Sequence, residues 1–219
     1  MEIRCKAATT TQTYYVGRPH DREIENGKNR TMGTWRDVIQ EIQTAPNQFD
    51  TVRTRYLADL ANYRGRNVIA YYSSFLHKNE FDSSINDLDM QSFMAAVHGL
   101  DRSRGLDLLL HTPGGGIAAT EAIVTYLRDM FRDHEKNGEL ALNTVEFLSS
   151  RHTHFAHERH IGIEEARDSG LHVVALEEDQ ELQELVVTLH HAYTHTLQQT
   201  SAVKIVENHD GVRVVNNIR

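Results

Sequence analysis

The segment Leu106–Gly116 has the sequence LDLLLHTPGGG, and its two halves predict different backbone structures. Its first six residues, Leu106–His111, form a short and nearly continuous apolar run, which is typical of a strand buried on both faces of a parallel sheet. The three glycines at its end let the chain turn sharply. Apolar residues at helical spacing then predict a helix over Ile117–Met130, so the segment is a strand-to-helix turn of an α/β domain.

The sequence before this segment alternates between helical and strand patterns. A second apolar run over Asn67–Ser73 predicts another strand buried on both faces. Apolar residues at helical spacing predict further helices over 34–45, 49–63 and 86–100. We therefore predict an α/β domain with a mainly parallel sheet flanked by helices.

The C-terminal part of the sequence predicts a long helix and a hairpin. An amphipathic pattern over 181–197 predicts the helix, and acidic residues favour its N-terminus through the helix dipole. Apolar runs over 203–206 and 212–215 flank the turn signal Asp210-Gly211, which predicts a β-hairpin. Between the glycine turn and the long helix, weaker patterns predict a short helix over 164–169 and a short strand over 172–176.

The first 33 residues differ in character from the rest of the chain. They are polar, contain glycine and proline, and show no sustained hydrophobic period. We predict an N-terminal arm over 1–33 that is poorly ordered or separately docked, followed by one domain over 34–219. The single cysteine, Cys5, excludes an internal disulfide.

Composition limits the classes of function. The chain has 219 residues, of which 39% are hydrophobic and 25% charged, as is ordinary for a globular protein. Its net charge of −8 argues against a basic nucleic-acid-binding face. The sequence has neither the long apolar run of a membrane span nor the N-terminal apolar segment of a secretory signal. We therefore expect a cytoplasmic protein with no membrane span that does not bind nucleic acid.

The backbone amides of the glycine turn suggest a chemical role. Where a strand ends and a helix begins, N–H groups converge on one space and attract an anion or a developing oxyanion. The turn lacks the Lys-Ser/Thr of a phosphate loop and the spacing of a dinucleotide fingerprint, so we expect no nucleotide cofactor. The alternative is a structural turn in which glycine serves only to adopt positive φ.

Longer motifs are similar to those of a known family. The stretch Thr112–Gly115 resembles the Ser-Pro-Gly-Gly turn of ClpP peptidases, and most of the chain from Met32 onward resembles the serine-dehydrogenase-proteinase family of Clp-fold serine peptidases. The motifs that carry this resemblance are WRDVI at 35–39, GRNVIAYYS at 65–73, IND at 85–87, LDRS at 100–103, HTPGG at 111–115, ATE at 119–121, RHI at 159–161, EEA at 164–166, LEEDQELQ at 176–183, VTLHH at 187–191 and KIVENH at 204–209.

The resemblance implies a fold, a reaction and a set of site residues. It implies a ClpP/crotonase-like domain that hydrolyses peptide bonds in peptide or protein substrates, with the amides of Gly114 and Gly115 in the oxyanion hole. It places the general base in the stretch that matches 158–161, where His160 is the better match and His157 is its neighbour. Imidazole suits this role because its pKa lies near neutrality. Clp-like folds commonly form rings or stacked trimers, so we expect a homo-oligomer.

One departure from the family pattern concerns the nucleophile. Family members place a strand with a Ser-Ala-Gly nucleophile turn after the helix that here ends near Phe131, and a Gly-Pro-Ile-Asp-Pro segment then supplies the acid. Neither motif stands in this sequence, which suggests an internal deletion near 133–137. Two explanations stay open, namely a natural or engineered deletion and the omission of an internal segment from the sequence. A serine nucleophile needs a base and an oxyanion hole around it, and this chain keeps the oxyanion turn and a candidate base but lacks the nucleophile. We therefore expect the chain as it stands to be inactive.

Other serines do not replace the missing nucleophile. Ser149, Ser150 and Ser201 are available, but none lies on a glycine-flanked strand-to-helix turn. We interpret them as surface or capping serines.

Two alternative functions follow from the same sequence. A non-catalytic, oligomeric Clp-like scaffold or interaction subunit would result if loss of the strand after the helix that follows the glycine turn exposed a sheet edge and apolar faces to a partner. A metal site is the second alternative, because several histidines are close in sequence and one pair has the i, i+4 spacing of a helix face. These histidines are His152, His154, His157 and His160, and the pair His191 and His195. The spacing matches no standard zinc motif, so we expect no metal and no other cofactor.

Overall fold

A six-stranded mixed sheet lies at the centre of the molecule. The computed structural model describes residues 35–45, 48–78, 83–131, 167 and 175–218, and the backbone of 3–8 and 11–16. The strands are β1 (Ile3–Ala8), β2 (Thr11–Val16), β3 (Asn67–Ser73), β4 (Leu106–His111), β5 (Ala202–Asn208) and β6 (Arg213–Asn217), in the order β1-β2-β4-β3-β5-β6. The helices are α1 (Trp35–Thr44), α2 (Gln48–Arg64), α3 (Asp87–Val97), α4 (Ile117–Met130) and α5 (Gln180–Gln199). No described helix is long and apolar enough to cross a lipid bilayer.

The α/β class predicted from the sequence is confirmed, but the sheet is not mainly parallel. Only β3 and β4 run parallel among the described strands, and they are joined by the crossover helix α3. The pairs β1–β2, β2–β4, β3–β5 and β5–β6 are antiparallel. The prediction failed here because a continuous apolar run reports burial on both faces of a strand, whereas its direction depends on the connections.

The elements predicted after the arm agree with the structure, apart from the segment before α5. The predicted strands at Asn67–Ser73 and Leu106–His111 and the C-terminal hairpin are all present. Leu176, predicted at the end of a strand, instead begins the 3₁₀ turn Leu176–Glu178. The predicted helix over 164–169, apart from Arg167, and residues 172–174 of the predicted strand lie outside the described residues.

The N-terminal arm contributes two strands where the sequence predicted no regular element. β1 and β2 form an antiparallel hairpin, and β2 pairs with β4 so that Tyr14 lies opposite Leu110 and Val16 opposite Leu108. β2 therefore covers the edge of β4 that faces away from β3. The signal for β2 was present in the threonine, tyrosine and valine of TQTYYV, which are residues of high strand propensity.

Helices pack on both faces of the sheet. Val68, Ala70 and Tyr72 of β3 belong to a buried cluster with residues of α2 and α5, whereas Ile69 and Tyr71 belong to a second cluster with α3 and α4. All seven residues of β3 are buried, which accounts for its continuous apolar run. α1 packs against α2 and α5 through a smaller cluster.

Buried ion pairs connect the helices to the strands. Arg53 of α2 pairs with Glu207 of β5 at 2.9 Å, and Arg64 of α2 pairs with Asp107 of β4 at 2.8 Å. A third pair joins Lys204 of β5 to Asp89 of α3. Such pairs add little net stability, but removing one partner is costly because it leaves an unpaired charge inside the protein.

Candidate functional site

The candidate site lies at the carboxyl ends of β3 and β4. Tyr72 and His111 are opposite each other near the ends of these parallel strands. The chain leaves β4 through Thr112 and Pro113, passes the glycine turn (Gly114–Gly116) and enters α4 at Ile117. Ligand sites in α/β proteins commonly occupy this position, where strand ends and helix N-termini meet.

Two glycines of the turn are required for different physical reasons. Gly114 has φ of +94°, which non-glycine residues rarely adopt. Gly115 forms a parallel bridge with Ile85, in which the Ile85 N–H donates to the Gly114 carbonyl at 2.8 Å and the Gly116 N–H donates to the Ile85 carbonyl at 2.9 Å. A Cβ atom on Gly115 would overlap the backbone of Ile85, so a side chain at this position is excluded while the bridge is closed.

The three amides of the turn differ in availability. The Gly116 N–H is bonded to Ile85, and the Gly114 N–H donates to Thr112 Oγ1 at 3.2 Å. The backbone of Ile85 forms its hydrogen bonds with Gly114 and Gly116, the residues on either side of Gly115. The N–H of Gly115 itself therefore points away from Ile85. Within the described part of the chain, that N–H has no hydrogen-bond acceptor. Gly115 therefore fits the role of oxyanion donor better than Gly114 does.

The start of α4 adds positive electrostatic potential beside this amide. Its N-cap residue, Gly116, makes no side-chain capping bond, and the first hydrogen bond of the helix runs from the Thr120 N–H to the Gly116 carbonyl. The first amides of a helix have no acceptor within the helix and carry the positive end of its dipole. The turn can therefore attract an electron-rich oxygen.

Two imidazoles lie beside the end of β4. The ring of His111 stacks on Tyr72 with centroids 5.0 Å apart, and its centroid lies 5.3 Å from that of His190 on α5. Burial is the main cause that lowers the pKa of His111 to about 4 and that of His190 to about 3. Both rings are therefore neutral at pH 7.

The surroundings of His111 define its tautomer. Its Nδ1 lies 3.3 Å from the carbonyl oxygen of Ser73, and a neutral ring makes this bond only by donating from Nδ1–H. The Nε2 atom then carries a lone pair. Nε2 is buried, and so is Ser74 Oγ, and neither atom has a hydrogen-bond partner among the described residues. This nitrogen can accept a hydrogen bond, although its low pKa makes it a weaker base than an ordinary imidazole.

Sequence reasoning did not identify the grouping of His111, His190 and Tyr72. His111 and His190 are far apart in sequence and meet only because α5 packs on the face of the sheet to which the His111 side chain points. The one available signal was the position of His111 at the end of a predicted strand, immediately before the glycine turn.

The predicted base and most of the histidine cluster lie outside the described residues. This applies to His160, His157, His154 and His152, and also to Ser149 and Ser150. Ser201 is described; it is exposed, and its hydroxyl donates to Asn217 Oδ1 at 3.1 Å in the C-terminal hairpin. This position agrees with our interpretation of Ser201 as a surface serine.

The remaining histidine pair packs against an aromatic ring. Trp35 meets His191 and His195 edge to face, with centroid distances of 5.3 and 5.5 Å. Within the described ranges, no group of three or more His, Cys, Asp or Glu residues is arranged to hold a metal ion.

Comparisons of this chain with protein-family models, curated proteins and solved structures found no match. The resemblance to the serine-dehydrogenase-proteinase family therefore rests on the sequence motifs quoted above.

Proposed function

We propose that this chain is a serine-peptidase-type protein of the ClpP/crotonase class, whose glycine turn binds the carbonyl oxygen of a peptide bond. The observation that carries the proposal is the Gly115 amide, which lies at the carboxyl end of the parallel pair and faces away from its bridge to Ile85. A backbone N–H fixed in this way needs no reorganisation when negative charge develops on the oxygen. Loss of one such donor typically slows acyl transfer by about 10²–10³-fold.

Hydrolysis would require three further groups, namely a base, a nucleophile and an acid. The resemblance assigns the base to His160, with His157 as a neighbour that tunes it, and the family's serine and aspartate motifs are absent. We therefore propose that the chain as it stands binds peptides without cleaving them. In a form that carries the missing segment, His160→Ala should reduce turnover by about 10³-fold or more, as loss of a triad member does, and His157→Ala should have a milder effect.

Peptide binding tests the proposal directly. Fluorescence anisotropy of a labelled, unstructured peptide should show saturable binding to the wild-type chain. Binding should be lost in Gly115→Ala and retained in Gly116→Ala, in which a Cβ meets only ordinary contacts. Absence of binding to the wild-type chain, or equal binding by the two variants, would contradict the proposal.

Two further measurements test the missing nucleophile. Intact mass should be near 25.0 kDa, and a larger value would show an omitted segment. A fluorophosphonate probe should label no serine in a sample of that mass. Labelling would show that the chain has an activated nucleophile and that our expectation of inactivity is wrong.

The scaffold alternative stays a prediction. Among the described strands, β2 pairs with β4 over Leu108–Leu110, so a partner would have to bind another edge of the sheet or an apolar face. Formation of a homo-oligomer stays a prediction of the resemblance. Light scattering tests it, and a monodisperse monomer would contradict it.

A further inference from the structure

A buried carboxylate holds in place the segment Ile85–Asn86, which pairs with the glycine turn. Asp89 lies in the first turn of α3 and is fully buried. Its Oδ2 atom accepts three hydrogen bonds, from the Asn86 N–H at 2.9 Å, the Tyr71 hydroxyl at 3.1 Å and Lys204 Nζ at 3.0 Å. One oxygen therefore connects the start of α3 with β3 and β5.

The connection from this carboxylate to the candidate site is short. Asn86 follows Ile85, and Ile85 is the residue bridged to Gly115 by two backbone hydrogen bonds. The Asn86 side chain also accepts a bond from the Leu88 N–H, so Asn86 and Asp89 form a reciprocal capping box at the start of α3. A shift of Asn86 would move Ile85, and with it the amide of Gly115.

The ion pair gives the carboxylate its orientation. Lys204 and Asp89 are both buried, and Lys204 lies opposite Ser73 in the ladder of β3 and β5. Asp89 Oδ1 is buried and has no hydrogen-bond partner among the described residues, so all three donors act on the other oxygen. A buried ion pair adds little stability compared with apolar side chains of similar size, but it restricts the directions in which its groups can point.

We propose that Asp89 and Lys204 are positioning residues of the glycine turn, which hold Ile85 and Asn86 against the sheet and thereby aim the Gly115 amide. What that amide binds rests on the proposed function, whereas the positioning is a property of the fold. The two can therefore fail separately.

Amide hydrogen exchange of the full chain tests the positioning. The variants are Lys204→Met, Asp89→Asn and the double variant, which removes both charges and leaves no unpaired charge inside the protein. Met94→Ala is the matched control, because Met94 is exposed on the same helix. In the double variant we expect exchange at Ile85 and Gly116 to accelerate by about tenfold or more, as expected for loss of one charge-assisted hydrogen bond, while exchange in β3 changes much less. Each single variant leaves an unpaired buried charge, so it should accelerate exchange at Ile85 and Gly116 and also, to a smaller extent, in β3.

A merely structural role predicts a different pattern. If Asp89 and Lys204 only stabilised the fold, exchange would accelerate equally at Ile85, at Gly116 and throughout β3, and this result would overturn the inference. Unchanged exchange at Ile85 and Gly116 would overturn it as well. Selective acceleration in the variants, together with no peptide binding by the wild-type chain, would support the positioning and contradict the proposed function. Peptide binding combined with uniform acceleration would contradict the positioning alone.

Discussion

Substituting alanine at each of the three consecutive glycines should give three different losses of stability. At Gly115 the new Cβ would overlap the backbone oxygen, nitrogen and Cα of Ile85. The bridge must open to relieve this overlap, which breaks the hydrogen bonds of 2.8 and 2.9 Å that hold the turn. Each bond contributes about 1 kcal/mol net, and residual overpacking adds about 1–2 kcal/mol. We therefore expect Gly115→Ala to lower the free energy of unfolding by roughly 3–4 kcal/mol.

Alanine substitutions at the two neighbouring glycines, Gly114 and Gly116, serve as controls because an added Cβ at either position meets no close atom. Gly114 has φ of +94°, but nothing lies within 4 Å of an added Cβ, so Gly114→Ala should cost only the backbone strain of about 1–2 kcal/mol. Gly116 has φ of −61°, and an added Cβ would find its nearest atoms at 3.8 and 3.9 Å. Gly116→Ala should therefore change the free energy of unfolding by less than about 1 kcal/mol.

Urea denaturation of the wild-type chain and the three variants measures this order. The expected ranking of destabilisation is Gly115→Ala, then Gly114→Ala, then Gly116→Ala, with unchanged dependence on urea concentration. If Gly116→Ala were as costly as Gly115→Ala, or if Gly115→Ala were neutral, the bridge to Ile85 would not constrain the turn and our argument would be refuted.

Two further predictions concern buried titratable groups. Burial holds the pKa of His111 at about 4 and that of His190 at about 3, below the ordinary value of 6.5, so the unfolded chain binds more protons as the pH falls below that value. The free energy of unfolding should therefore be highest above about pH 6.5. For each ring it should fall by roughly 1.4 kcal/mol per pH unit as the pH decreases from there towards the pKa of the folded state. His111→Gln should reduce this pH dependence between pH 6.5 and 5 in melts by calorimetry, and an unchanged slope would show that the ring is not buried as a neutral group. Glu207→Gln should destabilise the fold by about 1–3 kcal/mol in urea denaturation, because it removes the buried counter-charge that lies 2.9 Å from the Arg53 guanidinium and leaves that group only the partly exposed Asp50. The exposed Glu121→Gln is its control, and equal effects of the two substitutions would contradict this explanation.

Local sequence patterns predicted most of the fold after the arm. The apolar runs at Asn67–Ser73 and Leu106–His111 predicted both central strands. All residues of β3 are buried, as its continuous run indicated, whereas β4 alternates between buried and partly exposed residues. Asp210-Gly211 predicted the hairpin, and Gly211 adopts φ of +84° there. Strand direction was not predictable in this way, since it depends on which connection brings each strand to the sheet.

The candidate site was only partly predictable. The glycine turn was visible as a motif, but the need for glycine at Gly115 comes from its contact with Ile85, thirty positions earlier in the chain. The rings of His111, which is buried, and His190, which is partly buried, likewise come together only through the packing of α5 on the sheet. Local periodicity contains no information about such long-range contacts, and the choice of His160 and His157 as base candidates came from the family resemblance.

The central claim is that the Gly115 amide binds a peptide carbonyl group. The most direct test is a titration of the ¹⁵N-labelled chain with an unstructured peptide, followed through its backbone amide resonances. We predict that the Gly115 amide shows one of the largest saturable shifts, in the downfield direction of a new hydrogen bond, and that the peptide remains uncleaved. An unshifted Gly115 resonance at saturating peptide, or shifts confined to surfaces away from the glycine turn, would contradict the claim.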